Sequence, residues 1–150
     1  MNMAHIVVLG GGIGGVSMAY DMRAIGGKQH KITMISDTDT FHFVPSNPWV
    51  AIGHRTRKQI EVPLEKYLAR KKIDFIGVGA RKIHPEKNTI ELTDGESVSY
   101  DYLVISTGPD LAFDEIEGLG PHGGYTESVC HVAHAEQAYD NWKAFVEDPG

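Results

Sequence analysis

Three groups of residues have the types and spacing to do chemistry. Gly10-Gly11-Gly12-Ile13-Gly14-Gly15 holds a G-x-G-x-x-G pattern at Gly10, Gly12 and Gly15. In that pattern the first glycine allows a tight turn, the second lets a pyrophosphate approach the backbone, and the third lets a helix pack closely on a strand. Free N–H groups and the dipole of the helix that follows favour phosphate. The bland alternative is a glycine-rich structural turn. Ser36-Asp37 falls at the next checkpoint, where an acidic side chain ordinarily binds ribose hydroxyls. Ser36 offers a weaker, neutral hydrogen bond there; Asp37 either substitutes for the acid or caps the turn with Asp39. Cys130-His131-x-x-His134 is the third group. A thiolate beside an imidazole is activated, and the same residues are metal-ligand types, but with no fourth candidate nearby no metal is expected.

The elements that must position these groups follow from the apolar pattern. His5 to Leu9 is a β-branched run bounded by glycines, as suits a strand buried on both faces. Ile13 to Ile25 reads as a helix with Val16, Ala19 and Tyr20 on one face, ended by Gly26-Gly27. Lys31 to Ile35 is a second buried strand, and strand, helix, strand within about 30 residues is a βαβ unit. Phe41 to Gly53 shows no period and reads as a loop, yet it carries Phe41, Phe43, Val44, Trp49 and Val50, so it packs on core or ligand. Val62 to Lys72 predicts a helix opened by Pro63 with Leu64, Tyr67 and Leu68 facing in. Phe75 to Val78 predicts a third strand. From Ala80 to Tyr100 the pattern alternates around Asp94-Gly95, the signature of an antiparallel hairpin. Tyr102 to Ser106 returns to the buried pattern, Asp110 to Gly124 is irregular, and Ala133 to Val146 closes as an amphipathic helix with Ala135, Ala138, Tyr139, Trp142, Phe145 and Val146 on its inner face.

Composition sets outer bounds. At 41% apolar and 23% charged, the 150 residues are ordinary for a globular domain, which excludes disorder and collagen-like repeats. No run nears the roughly 18 apolar residues of a membrane span. The first apolar stretch is too short for a signal peptide, so none is expected. One cysteine excludes a disulfide scaffold within the chain. A net charge of −6 gives no support to nucleic-acid binding. The charge is uneven: Arg55, Arg57, Lys58, Lys66, Arg70, Lys71 and Lys72 form a basic run, while Asp110 onward is acidic. That run is either a solvated face or a surface for anionic lipid or a partner. Glu147-Asp148-Pro149-Gly150 is a helix stop of the kind that leads to another element, so the chain is expected to be a piece.

The order of elements adds a family likeness. A simple NAD domain has no antiparallel ribbon before its next core strand; here a ribbon precedes a strand ending in Ser106-Thr107-Gly108. That succession resembles the FAD-binding domain of the disulfide-reductase-like flavoproteins, the pyridine nucleotide-disulfide oxidoreductases. Phe41-His42-Phe43-Val44-Pro45-Ser46-Asn47-Pro48-Trp49-Val50 is similar to the loop of sulfide:quinone oxidoreductases, and the likeness runs through Tyr100-Asp101-Tyr102 and past Cys130 over essentially all of the chain. The resemblance implies an α/β, Rossmann-like FAD-binding domain with a parallel sheet and an inserted antiparallel β-ribbon. It puts that domain at 1–110 with the ribbon at 80–100, and a connecting segment and helix at 111–150 leading to a second dinucleotide-type domain outside this chain.

The resemblance also implies roles. Gly10, Gly11, Gly12, Ile13, Gly14 and Gly15 would hold the FAD phosphates, with Ser36 and Asp37 at the ribose and the Ala80 backbone at the adenine. Val44 and Pro45 would lie along the flavin side, with Thr107 and Gly108 near the flavin; the loop can equally be a proline-rich core plug. The family oxidises sulfide to sulfur or polysulfide on a redox cysteine pair later in the chain and passes two electrons through FAD to membrane quinone. Cys130 would accompany that pair, or be a structural thiol. Family members sit on one side of the membrane as peripheral, monotopic proteins through C-terminal amphipathic elements that this chain lacks. Two rivals differ in testable ways. A type II NADH:quinone dehydrogenase would want an acid at Ser36 and a second glycine fingerprint. A non-catalytic flavin- or nucleotide-binding module, or a partner-binding fragment without cofactor, would lack the late Gly-Asp segment that normally completes the FAD site. This chain alone is not expected to turn over, and its apolar loop around Trp49 leaves homo-oligomer formation open.

Overall fold

The predicted buried runs become the middle of a parallel sheet. The computed structural model describes residues 3–150. Strand β1 (His5–Leu9) enters the glycine turn, helix α1 (Ile13–Gly26) follows, and β2 (Lys31–Ile35) returns parallel to β1, with Val7 opposite Thr33 and Leu9 opposite Ile35. Val7, Val8, Met34 and Ile35 are fully buried because both faces of these strands are covered. The two faces have different covers. Val8, Ala19, Ile32, Met34, Leu64, Leu68 and Ile73 form one cluster on the α1 side; Val7, Leu9, Ile35, Ile90 and Leu92 form the other against the inserted strands. Each large aliphatic side chain so buried stabilises the fold by about 1.5–3 kcal/mol.

Beyond β2 the chain makes β3 (Thr40–His42), a single 3-10 turn at Val44–Ser46, and the short helix α2 (Asn47–Ala51). The segment predicted as loop is therefore partly helical. Pro45 and Pro48 stand in the first turns of these two pieces, where a missing N–H costs nothing and a fixed φ is preorganised. Helix α3 (Arg57–Ile60) then begins at Thr56, whose N–H donates to the Gln59 side chain at 2.8 Å; this short element is absent from the sequence expectation. Strand β4 (Glu61–Pro63) pairs with β3. Helix α4 (Leu64–Arg70) starts two residues later than predicted, since Val62 and Pro63 are extended. It buries Leu64 and Leu68, but Tyr67 is 38% exposed, with the Arg70 guanidinium 4.9 Å from its ring centroid.

Strand β5 (Asp74–Ile76) joins β2 in parallel. The predicted ribbon is a three-stranded antiparallel sheet of β6 (Ala80–His84), β7 (Thr89–Leu92) and β8 (Ser97–Ser99). Its β7–β8 turn contains Gly95 at φ +91, a conformation that favours glycine over other L-residues. Strand β9 (Tyr102–Ile105) then pairs with β1 to give the parallel order β5-β2-β1-β9. Helix α5 (Val132–Glu147) follows an irregular stretch. Its buried residues are Val132, His134 and Ala135, all in its first turn, whereas Trp142, Phe145 and Val146 are each more than half exposed. The apolar period continues past the part of the helix that has something to pack on.

The chain divides into two units. One is the chain up to Phe41 together with Pro63–Gly108, which carries the four-stranded parallel sheet and the three-stranded antiparallel sheet; the other is His42–Val62 together with Pro109–Gly150. The second unit has its own small core of Val50, Ile60, Val132 and Ala135, with α2 packed on α5. Arg57 of α3 pairs with Glu61 and, at 3.5 Å, with Glu136 of α5.

Candidate functional site

In the first unit the glycine turn lies between the C-terminal ends of β1, β2 and β9, where open parallel sheets bind ligands. The Gly10 N–H donates to the Ile35 carbonyl at 2.8 Å, and the Ser106 N–H donates to the Leu9 carbonyl at 2.8 Å, so the ends of the three strands are laced together. Gly10 has φ +112, and a Cβ there would meet the Ser106 carbonyl oxygen at 2.1 Å. Both conformation and space demand glycine at this position. A Cβ on Gly15 would meet the Gly10 carbonyl oxygen at 1.9 Å, which is the close packing of helix on turn that the pattern predicts. Gly11 and Gly14 are confined by side chains rather than by backbone. Their Cβ atoms would approach the Ser36 Oγ at 2.8 Å and the Ser106 Oγ at 2.7 Å.

Gly12 differs from all of these. Nothing lies within 4 Å of its notional Cβ, so this edge of the loop faces open space. It is also the N-cap of α1, with no side-chain cap and no acidic residue in the first turn. The first-turn N–H groups around Ile13 and Gly14 therefore have no side chain competing for them. An anion brought to Gly12 meets unpaired donors and the positive end of a fourteen-residue helix.

The remaining predicted residues of this unit surround the same turn. Ser36 is buried, and its hydroxyl accepts the Thr38 N–H at 3.4 Å, leaving its own proton free to donate. Asp37 is exposed, and its Cβ lies 3.4 Å from the notional Cβ of Gly79, which brings it beside Ala80 at the start of β6. The turn after β2 is held by Ser36 and by Asp39, whose carboxylate accepts the Thr40 hydroxyl at 2.8 Å, rather than by Asp37. Thr107 and Gly108 leave the end of β9 exposed, with Gly108 at φ +76. Two participants escaped sequence reasoning. The Ser106 side chain confines Gly14, and Leu64 Cδ1 would lie 2.7 Å from a Cβ on Gly11. A polar residue at the end of a core strand was the available signal for the first; none marked the second.

In the second unit Val44 and Pro45 are exposed on their 3-10 turn, and Ser46 and Asn47 behind them are buried. Cys130 is an exposed free thiol whose N–H donates to the Ser128 Oγ at 3.2 Å. The nearby histidines form a cluster. His134 Nε2 lies 3.2 Å from His122 Nε2, and the His131 ring stands edge-on to His134 with centroids 5.1 Å apart. Burial first, and then the electrostatic influence of neighbouring His131 and His122, holds the His134 imidazole below its ordinary value. One proton shared between His122 and His134 satisfies both Nε2 atoms, so the neutral form fits this geometry. Among the described residues no group of three or more His, Cys, Asp or Glu is arranged to hold a metal ion. None of their helices is long and apolar enough to cross a membrane.

Comparison with known proteins agrees with this geometry. The family model for pyridine nucleotide-disulphide oxidoreductases matches residues 4–144. The chain is 38% identical to the sulfide-quinone reductase of Aquifex aeolicus over 97% of its own length and 33% of that relative's, so it spans about a third of it. The crystal structure of the Aquifex aeolicus sulfide:quinone oxidoreductase superposes with a TM-score of 0.89 at 38% identity, covering 98% of this chain and 33% of the other. NDH2 from Plasmodium falciparum superposes with a TM-score of 0.77 at 20% identity over 99% of this chain and 30% of that one, a likeness of fold.

Proposed function

The chain belongs to the pyridine nucleotide-disulphide oxidoreductase family, and we propose that it is the N-terminal, FAD-binding part of a sulfide:quinone oxidoreductase. One observation carries the cofactor part of this reading: Gly12 opens onto free space at an uncapped, acid-free helix N-terminus while Gly10 and Gly15 on either side of it are packed against backbone. A turn built only for close packing has no reason to leave that one edge clear. The 38% identity to a sulfide-quinone reductase supports the choice of substrate.

On this reading, residues 1–110 form the cofactor domain, and 111–150 connect it to a second dinucleotide-type domain. Backbone N–H groups of Gly11, Gly12, Ile13 and Gly14 take the pyrophosphate, with Gly10 and Gly15 shaping the turn that aims them. Ser36 donates its free hydroxyl proton to a ribose oxygen, and Asp37 accepts from ribose beside the Ala80 backbone, which borders the adenine. Thr107 and Gly108, at the end of β9, border the flavin. FAD supplies two-electron redox chemistry when bound; the protein supplies binding, orientation and electrostatics. Cys130, exposed two residues before α5 at the end of the irregular stretch, is available to hold substrate sulfur. The partners of the parent are sulfide and a quinone reached from the membrane surface.

The test is electron-donor specificity in the full-length parent. Sulfide-dependent reduction of a soluble quinone with no response to NADH is expected. A parent that reduces quinone from NADH and ignores sulfide would overturn the assignment in favour of a dehydrogenase.

A further inference from the structure

We infer that Asn47 is a positioning residue for Cys130, an inference that rests on reading Cys130 as a working thiol of the parent enzyme. Asn47 opens α2 and is completely buried. Its side-chain Nδ2 donates to the carbonyl of Val129 at 2.9 Å, across 82 positions of sequence. Val129 is the residue immediately before Cys130. The Oδ1 of Asn47 has no donor among the described residues. A buried amide left half-satisfied is costly, and an apolar residue of similar size would avoid that cost if packing were its only task. The bond Asn47 does make therefore carries the reason for its place: it fixes where the backbone enters Cys130.

The surrounding bonds complete a clamp. Cys130 N–H donates to the Ser128 Oγ at 3.2 Å, and Ser128 is itself buried. Glu127 accepts a hydrogen bond from the Asn141 side chain of α5. On the other side, His131 is the N-cap of α5 in extended conformation. The Asn47 end is equally braced, since neighbouring Ser46 is buried and accepts from the Arg55 guanidinium at 2.5 Å. The thiol is exposed while the backbone on both sides of it is held. Of the bonds named here, the one from Asn47 alone ties the segment to α2; the others are local or lead to α5. Orientation of a nucleophile matters steeply, because a misplacement of about 1 Å costs about a hundredfold in rate.

The experiment is a double-mutant cycle in the full-length parent, paired with hydrogen exchange. Asn47→Leu removes the donor at similar volume; Asn47→Asp keeps the shape but turns a carboxylate oxygen on the Val129 carbonyl, and serves if the leucine variant fails to fold. Both are expected to lower sulfide-dependent kcat by at least about tenfold at unchanged FAD content, and to lose this effect in a Cys130→Ser background. Exchange at the Ser128–Cys130 amides is expected to quicken while β1 and α1 stay protected. If the Asn47 and Cys130 losses multiply independently, or exchange at 128–130 is unchanged, the positioning role is overturned and the reading of Cys130 stands. If Cys130→Ser alone leaves kcat intact, the reading of Cys130 falls and takes the positioning role with it.

Discussion

Gly15 sits so close to the Gly10 carbonyl oxygen that a Cβ on it would approach to 1.9 Å, whereas a Cβ on Gly12, three residues earlier, would touch nothing within 4 Å. The first glycine is required by the packing of the fold; the second is left open to solvent.

Gly15→Ala is expected to destabilise the chain by about 3 kcal/mol, because backbone, not a flexible side chain, must give way. Urea denaturation measures this. A variant as stable as the parent sequence would mean that the turn relaxes freely and the packing account is wrong.

Gly12→Ala makes the complementary case. The folded chain is expected to lose less than about 1 kcal/mol, the cost of alanine at an N-cap. FAD affinity, followed by titration, should fall at least about tenfold as the methyl group blocks the pyrophosphate's approach. Unchanged affinity would move the phosphates away from this loop.

The turn was legible in sequence because its signals are local: a buried run before it, a periodic run after it, and glycines between. The parallel sheet followed from continuous apolar runs such as Val7-Val8-Leu9 and Ile32 to Ile35 for the same reason. The helix at Asn47–Ala51 was not legible, since Pro45 and Pro48 read as breakers when they in fact stand in the first turns of two successive short pieces. Nor was the exposure of Trp142, Phe145 and Val146, because periodicity reports which side chains share a face and not how far the cover extends. Within the candidate site, the glycines and Ser36 were visible by type and place. Contacts from distant sequence, such as Leu64 against Gly11 and Asn47 against Val129, were not.

The Asp37 carboxylate is exposed beside Gly79 and Ala80, with the local turn held by other residues. Asp37→Ala is therefore expected to leave thermal stability within about 0.5 kcal/mol, as for a surface change. It should weaken FAD binding by about tenfold, the worth of a charge-assisted hydrogen bond. Loss of stability with intact FAD affinity would return Asp37 to the role of a turn residue.

Acid sensitivity should centre on His134. Its native pKa lies below the ordinary 6.5, chiefly through burial and then through His131 and His122; Glu127 opposes the shift. The unfolded chain thus takes up its proton at higher pH than the native one. Stability from this group is complete above about pH 6.5 and is lost as pH falls from there through the depressed native value. His5, lowered mainly by burial and Lys31, acts in the same direction. Urea midpoints measured from about pH 7.5 to about pH 5 should fall, and His134→Gln should flatten part of that slope. An identical slope in the variant would show that His134 is not a source of it.

The most direct measurement is the identity of the cofactor that leaves the purified full-length parent on denaturation. FAD is expected, close to one per chain, with its loss from the Gly12→Ala variant while the fold stays intact. A parent released without any flavin, or one that retains its full complement of FAD after Gly12→Ala, would contradict it.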